Sequence, residues 1–64
     1  MTLAKNITRL RKAQKLSLQQ LADKVSTSKS NIWGIENNKQ VPSVYLADDI
    51  AKALKTTIGK LLSK

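Results

Sequence analysis

Lys29, Ser30, Trp33, Gly34 and Asn37 are spaced so that about two turns of helix would bring them to a single outward face. Ammonium, hydroxyl, carboxamide and indole groups in such a row do no acid–base chemistry. They hydrogen-bond and stack. The rest of the composition agrees. Histidine and cysteine are absent, which removes the usual general base, the commonest metal ligands and any disulfide. Serine and lysine are present, but a catalytic arrangement built on them needs a pocket that 64 residues rarely enclose. The expectation is a binding protein rather than an enzyme, with no metal and no cofactor.

Charge points to the kind of partner. Twelve basic residues against four acidic ones give a net charge of +8 and a pI near 10.2. Nucleic acid is the first polyanion to consider and an anionic membrane the second, with a basic surface that only aids solubility as the plain alternative. The charge is unevenly placed. Residues 1–16 carry Lys5, Arg9, Arg11, Lys12 and Lys15 with no acid. Residues 17–40 carry three bases and two acids, and residues 41–64 four bases and two acids. Basic residues spread over several short helices argue against a membrane-active peptide, which concentrates them on one face of one long helix.

The elements that must hold the polar row are legible from apolar spacing. Leu3, Ile7 and Leu10 recur at helical intervals, with Ala4 and Ala13 beside them, predicting a first helix over about residues 2–14. Ser17-Leu18-Gln19-Gln20 is a capping box, so a second helix starts there and runs to near Val25 on Leu18, Leu21, Ala22 and Val25. Ser28 caps a third helix whose Ile32 and Ile35 point inward, and Asn37-Asn38 stops it. Pro42 keeps Val41 extended, and Ser43 caps a fourth helix on Leu46, Ala47, Ile50, Ala51 and Leu54. Thr57 caps a short last helix containing Ile58, Leu61 and Leu62. No alternating strand pattern competes. The expected fold is all-α, a bundle of five short helices forming one domain over residues 1–64. The start of the chain is interrupted by Lys5 before any apolar run forms, so no targeting segment is expected, and no run approaches a membrane span. The absence of cysteine suits a reducing cytoplasm.

Two short capped helices joined by a three- or four-residue turn have the shape of a helix-turn-helix. The major groove of DNA admits one helix and shows a distinct hydrogen-bond pattern for each base pair. The helix over residues 28–37 has the two faces such a reader needs: Ile32 and Ile35 for burial, and Lys29, Ser30, Trp33 and Asn37 for contact.

The segments Leu16-Ser17-Leu18-Gln19-Gln20-Leu21-Ala22-Asp23-Lys24-Val25 and Ser28-Lys29-Ser30-Asn31-Ile32-Trp33-Gly34-Ile35-Glu36-Asn37-Asn38-Lys39, followed by Pro42-Ser43, resemble the Cro/C1-type helix-turn-helix family. That family includes lambdoid phage repressors, Cro proteins and XRE-like bacterial regulators, and the resemblance runs from about Leu3 to Leu62. It implies a transcriptional regulator, a repressor of phage, plasmid or bacterial origin, that binds operator DNA as a dimer in the cytoplasm at the nucleoid. It implies roles by position. Ser28 matches a phosphate or base contact. Lys29 and Ser30 match the first base-reading positions, and Trp33 and Gly34 the next turn. Asn37 and Lys39 match backbone contacts. Arg11 matches an arginine that pairs with Glu36 in part of the family and still faces a phosphate; the alternative is a solvated Arg11. Leu18 and Gln19, at the start of the second helix, complete the expected DNA-binding set.

Several residues keep two readings. The family has Gly where Ser26 stands, so a positive φ is expected there at a cost on the order of 1 kcal/mol, and Gly again at Asn38. Leu18 replaces a common Gln and leaves only backbone N–H groups to donate. Trp33 is either a packing aromatic, a DNA contact or a protein-docking spot. Gly34, costly inside a helix, would let the backbone approach DNA closely. Ile58, Leu61 and Leu62 either complete the monomer core or form a dimer contact. The whole chain could also be a protein-interaction module of the same fold, of the kind found in antitoxins or co-regulators.

Overall fold

The computed structural model describes residues 2–62, so the end positions Met1, Ser63 and Lys64 of the expected domain lie outside the described residues. Five helices follow one another: α1 (Thr2–Ala13), α2 (Leu18–Lys24), α3 (Lys29–Glu36), α4 (Val44–Ala53) and α5 (Ile58–Leu62). There is no strand among the described residues.

Helices α2 to α5 each start where a hydroxyl can satisfy a free N–H group of the first turn. Ser17 Oγ accepts from Gln20 N at 3.0 Å while Gln20 Oε1 accepts from Ser17 N at 2.8 Å, closing the capping box. Ser28 accepts from Asn31 N, Ser43 from Leu46 N, and Thr57 from Lys60 N. Each such cap contributes about 1 kcal/mol.

The helix ends are equally regular. In α1 to α4 the chain leaves the helix through a left-handed residue: Lys15 (φ 57°), Ser26 (φ 56°), Asn38 (φ 59°) and Lys55 (φ 60°). Each time the next residue's N–H bonds to a carbonyl five residues back: Leu16 to Arg11 (3.0 Å), Thr27 to Ala22 (3.0 Å), Lys39 to Gly34 (2.8 Å) and Thr56 to Ala51 (2.9 Å). These are Schellman closures, which ordinarily favour glycine at the left-handed position. This chain makes all four without glycine. The positive φ expected at Ser26 is present.

The helices enclose one core. Ile7, Leu21, Ile32, Ile50, Leu54 and Leu61 are its largest fully buried members, with Leu3, Ala22, Val25, Ile35 and Ala51 around them. Every helix contributes. Leu10, Leu16, Leu18 and Leu46 cover the edge, whereas Ala13, expected beside the first stripe, is exposed. Two carboxamides on α1 tie the bundle together. Asn6 Nδ2 donates to Leu61 O at 2.7 Å and Gln14 Nε2 to Leu54 O at 2.6 Å. Both acceptors lie at helix C-terminal ends, where carbonyls lack intrahelical partners. No helix among the described residues is long and apolar enough to cross a membrane.

Leu61 corrects one expectation. It is fully buried under α1 and α4 and completes the monomer core, so it is not available for a dimer contact. Its neighbour Leu62 is 58% exposed, and Ile58 is half-buried.

Candidate nucleic-acid interface

Helices α2 and α3 are joined by Val25, Ser26, Thr27 and Ser28, and they pack closely against each other. Leu21 and Ala22 from the first and Val25 from the turn share one buried cluster with Ile32 and Ile35 from the second. The turn holds its shape through the left-handed Ser26 and through Asn31 Nδ2, which donates to Thr27 Oγ1 at 2.8 Å.

A second tie fixes α3 from the other side. Arg11 of α1 donates from Nε to Glu36 Oε2 at 2.7 Å and from Nη2 to Glu36 Oε1 at 3.1 Å. Its Nη1 donates to Leu16 O at 2.8 Å. Thr8 Oγ1 adds a bond to Glu36 Oε1 at 2.9 Å. The two side chains are only 12% and 6% exposed. The expected pair is therefore formed, and the solvated alternative for Arg11 is excluded. With three of its N–H groups committed inside the fold, Arg11 acts mainly by holding α3 at a set angle to α1.

The outward face of α3 is what these ties present. Lys29, Ser30, Trp33 and Asn37 are all exposed, Trp33 at 49%. Ser28 and Lys39 stand exposed at the two ends. Asn37 uses one amide hydrogen on Trp33 O at 2.9 Å, so its carbonyl oxygen remains to accept. The packing reading of Trp33 does not hold, because neither the fully buried set nor the core cluster includes it. On α2, Leu18 turns its side chain to the core edge, and the exposed Gln19 is held by Asp23 at 2.8 Å. Apart from Arg11, every lysine and arginine among the described residues is exposed.

Gly34 is the second correction. Helical spacing places it in the outward row, but it is buried. The Gln40 side chain lies across it: a Cβ at Gly34 would fall 2.7 Å from Gln40 Nε2 and 3.1 Å from its Cδ and Cγ. Gly34 is therefore a seat for Gln40 rather than a bare stretch of backbone open to DNA. Spacing alone could not reveal this, because the covering residue comes from the loop beyond the helix.

The helix-turn-helix family model matches residues 7–61, which contain all of these features. The chain belongs to the Cro/C1-type helix-turn-helix family. It is 38% identical over 61 residues to the competence pilus inhibition repressor of Acinetobacter baylyi, covering 95% of this chain and 56% of that protein. This chain thus spans about half the length of that repressor (56%). Among solved structures, the N-terminal DNA-binding domain of SinR from Bacillus subtilis superposes with a TM-score of 0.91 at 30% identity, covering 98% of this chain and 93% of that one. SinR in complex with DNA gives a TM-score of 0.88 at 31% identity, covering 95% and 98%.

Proposed function

We propose that this chain is a sequence-specific double-stranded DNA-binding regulator of transcription, acting as a repressor in the bacterial cytoplasm and reading the major groove with α3. The observation that carries the proposal is the outward row Lys29, Ser30, Trp33 and Asn37, exposed on a helix whose inner face and C-terminal end are both tied down. A helix held this way keeps its contact groups at fixed angles, which base discrimination requires. The net charge of +8 supplies the sequence-independent attraction to phosphates. The family and the two SinR structures support the same reading. The proposed role is recognition, with no catalysis, cofactor or metal.

Lys29 and Ser30 read bases in the first turn, and Trp33 contacts sugars or a thymine methyl group in the second. Ser28, Asn37 and Lys39 contact the backbone. Operators with two-fold symmetry place half-sites about 34–36 Å apart. The longest extent of this chain is 25 Å, so one copy presents one recognition helix and two copies are needed. Leu62 and Ile58 on α5 are the residues left to join them.

The test is titration of wild type and the double variant Lys29→Ala, Ser30→Ala against a selected duplex and an unrelated one over a range of salt. Tighter binding of the selected duplex, lost in the variant while the fold is kept, supports the proposal. Equal affinity for both duplexes by wild type overturns it.

One observation favours a second reading, a protein-docking role. Val41, Val44 and Tyr45, close together in sequence around the start of α4, are 76%, 74% and 85% exposed. Loss of DNA binding after the Lys29 and Ser30 changes, with a protein partner kept, favours the first reading. Unchanged DNA binding with loss of a protein partner favours this one.

A further inference from the structure

We infer that Gln40 is a base-reading residue supplied from outside the recognition helix, and that Gly34 is the seat that aims it. The inference rests on the DNA-reading role proposed above and adds a contact to it.

At 100° per residue, Ser30, Gly34 and Asn37 fall within about 60° of one another around α3. They form one lengthwise row on the outward face, and Gly34 leaves its middle without a side chain. The structure fills that gap from the loop. Asn38, left-handed at φ 59°, turns the chain back over the helix end. Lys39 N at 2.8 Å and Gln40 N at 3.2 Å then both donate to Gly34 O. The Gln40 side chain lies where a Gly34 Cβ would stand, with Nε2 2.7 Å and Cγ 3.1 Å from that position. Backbone and side chain are thus anchored at the same residue.

The carboxamide so placed is not consumed by the fold. Gln40 is exposed and its side-chain amide makes no hydrogen bond among the described residues. In this it differs from Asn6, Gln14, Gln20, Asn31 and Asn37, whose carboxamides all bind within the molecule. A glutamine amide pairs with adenine through N6 and N7 on the major-groove edge. Lying in the row between Ser30 and Asn37, Gln40 occupies the place where a residue-34 side chain would reach for a base. The competing account is that Gln40 only shields the helix end, which predicts an effect on stability and none on base preference.

Selection of bound duplexes from a random pool separates these, using wild type, Gln40→Ala, Gln40→Glu and Gly34→Ala, each with its melting temperature measured. Wild type is expected to prefer an A·T pair at one position per half-site. Gln40→Ala should lower that preference on the order of tenfold and leave the other positions unchanged. Gln40→Glu keeps the length but replaces the donor, and should move the preference away from adenine toward cytosine. Gly34→Ala should resemble Gln40→Ala, because its Cβ displaces the carboxamide. If both Gln40 variants select the wild-type motif, the inference is wrong while the DNA-reading role stands. If wild type selects no motif, the DNA-reading role fails and takes the inference with it. If Gly34→Ala alone leaves the motif unchanged, Gly34 is not the seat.

Discussion

Arg11 and Glu36 face each other through two nearly parallel hydrogen bonds of 2.7 and 3.1 Å, which join the first helix to the end of the third. A pair this buried is costly to break on one side, since the remaining charge has nowhere to go. Its geometric role is separate from its energy: it sets where the end of α3 lies.

Arg11→Ala or Glu36→Ala should each lower the unfolding free energy by about 3–5 kcal/mol, a large share for a domain of this size. Urea unfolding followed by circular dichroism measures it. A loss below about 1 kcal/mol in both variants would show that the pair carries little energy. Thr8→Val should cost less, about 1 kcal/mol, because it removes one of the bonds to Glu36.

The left-handed residues predict stabilising changes. Ser26→Gly and Lys55→Gly relieve a φ of 56° and 60° in L-residues, offset by the extra freedom of glycine in the unfolded chain. Each should stabilise by about 0.5–1 kcal/mol, raising Tm by a few degrees. Thermal melts of the two single variants and the double variant check the sign and the additivity.

Core and face should separate cleanly on α3. Ile32→Ala empties a fully buried site and should cost about 2–5 kcal/mol. Trp33→Ala, one position along, should change stability by less than about 1 kcal/mol and weaken DNA binding. Trp33 is the single tryptophan, so its emission reports on this face directly. Adding the selected duplex should change that emission; no change at saturation would place Trp33 away from the contact.

The two leucines of α5 should behave oppositely. Leu61→Ala removes a fully buried side chain and should cost about 2–5 kcal/mol. Leu62→Glu should leave the monomer folded and, with α5 as the dimer contact, raise the concentration at which two copies assemble on DNA. Sedimentation of the variant with and without duplex measures this. Unchanged assembly would move the dimer contact elsewhere, with Val41, Val44 and Tyr45 the next exposed apolar surface to test.

Local signals were enough for the five helices and their order. Ser17, Ser28, Ser43 and Thr57 cap the helices expected from them, because a cap depends on residues only three apart. The apolar stripes identify the core for the same reason: helical periodicity decides which side is buried before any partner is known. The family resemblance added the Arg11–Glu36 pair, which spacing alone could not join across 25 residues.

What the tertiary structure decided lies where distant segments meet. Asn6 and Gln14 find the carbonyls of Leu61 and Leu54, 55 and 40 residues away. Leu61 and Leu62 are alike in type, and only the docking of α5 determines which one is buried. The outward row at residues 29–37 changed most. Its position on the third helix follows from sequence, since a 100° step is a property of the helix itself. That Gly34 is covered, and that Gln40 covers it, depends on the path of the loop after Asn38, which local spacing does not determine.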